Sequence, residues 1–122
     1  MRAAAFALAL VAGTCTAAEP WSATDTALEV AALTSLTIDF HQTLQIHQQY
    51  AAGRERGESN FLLGTHPSES KIRNYFVASS LIQFAVAHSL SGGARTCFLS
   101  GVLGLELVVT QRNKEIGLSY RF

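Results

Sequence analysis

The sequence predicts an all-α fold: a small helical membrane protein of three helices after an N-terminal signal peptide, with an antiparallel hairpin and a short extended C-terminal tail. Three observations predict it. Glycine and proline gather between long segments, where they mark turns. Only 15% of residues are charged, against about 25% in an average chain. Strand-like alternation of apolar and polar residues is confined to the last few positions.

Composition bounds the rest. The 122 residues are 48% hydrophobic, and nine basic residues balance nine acidic ones. That balance excludes a basic nucleic-acid binder and an acidic disordered tail. The length suits one domain, since two usually need about 100 residues or more each. Two cysteines build neither a disulfide scaffold nor a four-cysteine zinc site.

Residues 1–18 read as a secretory signal peptide. Met1 and Arg2 make a short positive start, Ala3 to Gly13 an apolar run, and Thr16, Ala17 and Ala18 a small-residue cleavage site. The run is short for a membrane span of about 20 residues. Cys15 follows Thr14, where a lipoprotein signal carries Gly, Ala or Ser, so acylation is disfavoured. Residues 19–122 form the single mature unit, exported to the cell envelope.

The first helix is expected over residues 24–50, with Ser22 and Asp25 spaced as a capping box and Gly53 after its end. It is largely apolar from Ala27 to Ile38 and then polar, which suits a half-buried helix better than a clear span. Residues 51–69 are a loop rich in glycine and charge. Pro67, Ser68 and Glu69 suit a helix start, and the second helix follows over 68–90. Ser91, Gly92 and Gly93 end it. The third runs over 94–110, apolar from Cys97 to Val109 except for Ser100 and Glu106. The short glycine turn implies that the second and third helices form the hairpin.

Loop charges provide a topology check. The stretch leading into the first helix, with its first turn, holds Glu19 and Asp25 and no Lys or Arg. The next loop and the start of the second helix hold Arg54, Arg56, Lys71 and Arg73. The glycine turn has only Arg95, and the tail has Arg112, Lys114 and Arg121. Three crossings put the basic loop and tail in the cytoplasm, as the positive-inside rule requires. A periplasmic helical protein is the alternative. Ile116, Leu118, Tyr120 and Phe122 alternate like the terminal strand of an outer-membrane barrel. A barrel needs at least eight strands of about 10 residues, which the rest of the chain lacks.

Several polar residues stand in apolar surroundings. Helical spacing puts Ser35, Asp39, Gln42 or Thr43, Ile46 and Tyr50 near one face, with His41 opposite. Glu106 is the strongest anomaly, because a carboxylate at membrane depth costs about 2.5–3.5 kcal/mol. Thr110 and Asn113 lie near its face, and His88, Arg95, Gln83 and Asp39 are partners on other segments. The four histidines lack metal-site spacing, and no metal site or cofactor motif is expected. Ser100, Gly101 and Gly104 form a small-residue face, and Ser79 and Ser80 a second one. Such faces let membrane helices approach closely, and packing within the hairpin is the expected use.

The polar positions carry a resemblance. The pieces are Asp39, Phe40, His41, Gln42 and Thr43 with Ile46; Glu58, Ser59, Asn60, Phe61, Leu62, Leu63 and Gly64 with Pro67 and Ser68; Tyr75 and Phe76; and Gly104, Leu105 and Glu106 with Arg112, Asn113, Ile116 and Gly117. On these the chain resembles a family of small bacterial and prophage helical envelope proteins of unknown function. Members often carry Pro after the Asn, where this chain has Phe61. The resemblance implies an integral membrane helical protein and supplies no activity. It joins Asp39, Gln42, Thr43, Glu58, Asn60, Glu106 and Asn113 into one candidate polar cluster.

Three functions follow as expectations. The first is a non-enzymatic membrane protein acting through helix packing, with lipid and a second copy or another protein as partners. The second is an ion-, proton-handling or hydrolytic site on Asp39 and Glu106. The third is an outer-membrane role from the terminal strand signal. No nucleophile-elbow, phosphate-loop or dinucleotide motif supports enzyme chemistry.

Overall fold

The computed structural model describes residues 19–54, 57 and 60–118. Residues 1–18, expected as a signal peptide, lie outside them, as do Glu58 and the last four residues. The described residues form three helices: α1 (Ala23–Ala51), α2 (Glu69–Ser89) and α3 (Gly92–Glu115), with no strand among them.

Local chemistry sets the ends. Ser22 and Asp25 make the reciprocal capping box: the Asp25 amide donates to Ser22 Oγ at 3.0 Å, and the Ser22 amide to Asp25 Oδ2 at 3.2 Å. Gly53, at φ 78°, turns the chain away after α1. Asn60 then organises the loop. Its side-chain oxygen accepts from the Leu62 amide, and its carbonyl accepts from Leu63 and Gly64. That turn carries Leu63 into the core. Ser68 caps α2 by accepting from the Lys71 amide.

α3 is longer than expected and continues past Thr110 through Gln111, Arg112, Asn113, Lys114 and Glu115. Loss of hydropathy does not end a helix. A terminating conformation does, and it comes at Gly117 (φ 86°), where the Gly117 and Leu118 amides return to the Lys114 and Asn113 carbonyls. Ile116 and Gly117 are therefore a closing turn rather than the start of an extended tail. Leu118 is buried, and the remaining tail lies outside the described residues.

α1 is the central element. It runs parallel to α3, with Asp25 beside Thr96 and Gln42 beside Thr110 and Asn113. It runs antiparallel to α2, with Glu29 beside Gln83 and His47 beside Pro67. Its contact with α3 is the largest, and α2 and α3 touch each other least, although only Leu90 and Ser91 separate them. The two faces expected to close a hairpin on itself therefore do not meet closely. Gly101 and Gly104 have open space above them, and Ser100 is exposed. Ser79 is half-buried, and Ser80 donates to its own helix at the Phe76 carbonyl. The physical reason is that α3 turns its other face, with Leu99, Thr110 and Asn113, to α1, where polar groups find partners.

Apolar packing is concentrated in one place. Leu36, Leu63, Ile72 and Phe76 form a buried cluster, flanked by Phe40, Leu44 and Tyr75. Phe40 and Tyr75 each meet Phe76 edge-on, at 5.4 and 5.2 Å between rings.

Candidate functional site

The polar residues of the interior form two clusters at different heights of the α1–α3 contact. The first contains most of the expected site. Asn113 is half-buried, and its Nδ2 donates to Asp39 Oδ1 at 2.7 Å and to Gln42 Oε1 at 3.0 Å. Gln42 is fully buried, and its Nε2 reaches the Thr110 carbonyl at 3.5 Å. The pairing makes chemical sense. Asn113 and Gln42 each use a donor and leave an oxygen to accept, and Asn113 thereby ties a carboxylate and an amide of α1 to α3. Thr43 is buried beside them on α1. Glu106, one and then two turns before Thr110 and Asn113 on α3, is half-buried. The Asp39 carboxylate is near enough to act electrostatically on it. One Glu106 carboxylate oxygen is buried with no hydrogen-bond partner among the described residues.

The structure thus brings Asp39, Gln42, Thr43, Glu106 and Asn113 to one region. Asn60 is elsewhere, in the loop turn that buries Leu63. Glu58 lies outside the described residues.

The second cluster centres on Arg95, which sequence reasoning placed in an outer turn. Its side chain is fully buried. The guanidinium donates to the carbonyls of Ala87 and Leu90, capping the end of α2, and to those of Glu19 and Pro20 before α1. Asp25 stands 3.7 Å from it, and Trp21 lies beneath it with 4.9 Å to the ring centre. Thr96 donates to Asp25 at 2.7 Å. That hydroxyl, the Ser22 side chain and amide, and the guanidinium of Arg95 thus surround the Asp25 carboxylate. The available signal was positional. Arg95 follows a helix end whose last carbonyls need donors.

Between the clusters, Gln83 Nε2 of α2 donates to buried Glu29 at 3.1 Å. Arg95 and Gln83, both expected as Glu106 partners, are thereby engaged with other acids. His88 stacks on Phe84 instead.

The outward surface is the reverse of this interior. On α1 between Ala27 and His47 the exposed residues are Ala27, Val30, Thr34 and Thr37. On α2 between Asn74 and His88 they are Val77, Ala78, Leu81, Ile82, Phe84 and Ala85. On α3 between Thr96 and Gln111 they are Cys97, Ser100, Gly101, Gly104, Leu105, Leu107 and Val108. None is charged. Thr34 and Thr37 donate back to the Val30 and Leu33 carbonyls of their own helix, so neither hydroxyl needs water.

No protein-family model, curated protein or solved structure matches the chain.

Proposed function

We propose that this chain is an integral membrane protein that crosses the bilayer three times and works through helix packing and partner proteins rather than as an enzyme. The uncharged, largely apolar outer surface of the bundle, around an interior that holds polar clusters, carries this reading. Soluble proteins rarely leave apolar patches this extensive uncovered, and large ones mark membrane or partner contact. Here acids, amides and an arginine share the interior with the apolar cluster, while many further Leu, Val, Ile and Phe side chains face outward. α3 is long and apolar enough to cross a membrane, and most of that stretch is exposed, unlike the core helix of a soluble protein.

Charge and aromatic placement agree. Arg54, Lys71, Arg73, Arg112 and Lys114 all belong to the end where α1 and α3 finish and α2 begins. Tyr50 is at that end too, and Trp21 is at the opposite one, as expected of interfacial aromatics. The basic end is cytoplasmic in this reading, and an exported N-terminus and the inner membrane follow from it.

Single-cysteine labelling tests the topology. In a Cys97→Ser background, Ala23→Cys should react with an impermeant thiol reagent in cells whose outer membrane is opened. Ala52→Cys and Ile116→Cys should react only after the inner membrane is permeabilised. Reaction at all three sites before the inner membrane is permeabilised would make the protein periplasmic.

A second reading has its own support. The unpartnered oxygen of Glu106 beside Asp39 suits an ion- or proton-handling site, because intramembrane acids are rarely left without a role. Glu106→Gln that folds normally but loses the cellular phenotype would favour it. Normal function would return Glu106 to a packing role.

A further inference from the structure

A groove of about 490 Å³ lies between α1 and α2, walled by Leu36, Phe40, Leu44, Phe76 and Val77. Thr37 and Ser80 line it too, but each has already committed its hydroxyl proton. Thr37 donates to the Leu33 carbonyl and Ser80 to the Phe76 carbonyl, both at 2.8 Å. The groove wall therefore offers a ligand no hydroxyl donor. A polar ligand would lose its hydrogen bonds with water there, whereas a hydrocarbon chain would lose none.

The groove carries one charged residue, Arg73, toward the basic end of the bundle. Arg73 pairs with Glu69 one turn earlier, but both side chains are more than half exposed, and exposed pairs hold weakly. Glu69 engages one guanidinium nitrogen. Arginine has five N–H donors and binds phosphate well. An apolar trough ending at a cation is complementary to a hydrocarbon chain ending in an anion.

We propose that the α1–α2 groove holds an acyl chain of an anionic phospholipid whose phosphate pairs with Arg73. This rests on the membrane reading, because it puts Arg73 at cytoplasmic headgroup level. One basic residue at an anionic surface contributes about 1 kcal/mol, roughly a fivefold preference for the anionic lipid.

Tryptophan quenching by brominated lipid tests it, in the full chain with Trp21→Phe and a single new tryptophan. Phe40→Trp reports on the groove, and Leu105→Trp on the outward face of α3. Vesicles carry brominated phosphatidylglycerol or brominated phosphatidylcholine at equal mole fraction. At Phe40→Trp, quenching should favour phosphatidylglycerol by roughly fivefold, and Arg73→Gln should abolish the preference. At Leu105→Trp the two lipids should quench alike. Equal quenching at Phe40→Trp would overturn the proposal and leave the membrane reading intact. Quenching at Leu105→Trp alone would overturn it differently, by showing that protein covers the groove. No quenching at either site would take the chain off the membrane and remove both readings. If circular dichroism shows that Phe40→Trp does not fold, Val77→Trp reports on the same groove.

Discussion

α1 makes two contacts of opposite character. Against α2, near the basic end, it packs Leu36, Phe40 and Leu44 on Ile72 and Phe76. Against α3 it presents Asp25, Asp39 and Gln42 to Arg95, Thr96, Thr110 and Asn113. The difference teaches where each force operates. The apolar contact is non-directional and tolerates small shifts. The polar contact holds in one register only, because a one-residue slip would part Asn113 from both Asp39 and Gln42. In a bilayer this division matters more. Lipid tails are as apolar as leucine, so apolar contact alone gives helices little reason to choose one another.

Three substitutions break or sharpen this comparison. The largest effect belongs to Arg95→Leu. It leaves Asp25 buried without its cation and four backbone carbonyls without a donor. Breaking a buried pair costs about 3–5 kcal/mol, and denaturant unfolding in micelles should register a loss of that size. An unchanged midpoint would mean that water replaces the guanidinium and that this end of the bundle is open. Next is Phe76→Ala, expected to cost about 3 kcal/mol through the cavity it leaves. It should loosen α2 while amide exchange in α1 and α3 stays slow. Equal loosening of all three helices would show the two contacts to be one cooperative unit. The smallest effect is that of Asn113→Ala, about 1 kcal/mol, in line with measured hydrogen bonds inside membranes. A double-mutant cycle with Asp39→Ala checks it. Additive losses would mean that the 2.7 Å bond contributes nothing beyond its parts.

The cycle bears on how much of the site was legible. Glu106 stood out because it interrupts an apolar run, Asp39 and Gln42 because they follow one on the same helix, and Asn113 because helical spacing puts it near the Glu106 face. Their meeting depends on α1 and α3 lying parallel and adjacent, and on α3 extending past Thr110. Neither follows from local spacing. Asn60 shared the polar signal and went elsewhere, because an Asn in a loop can also organise a turn. Arg95 was visible as the only cation near the glycine turn, but nothing local distinguishes a solvated arginine from one that caps a neighbouring helix.

The sequence by itself determined three helices and the starts of the first two. Capping at Ser22 and Ser68 and turns at glycine act over a few residues, and their signals survive in any tertiary setting. It determined too that charge collects at one end of the chain's helices. Only the tertiary structure decided which face of each helix looks inward. In none of the three do apolar residues concentrate on one side, so local pattern carries no preference for a rotation. Pairing across helices made that choice, because a buried carboxylate, amide or guanidinium is costly until it finds its particular partner.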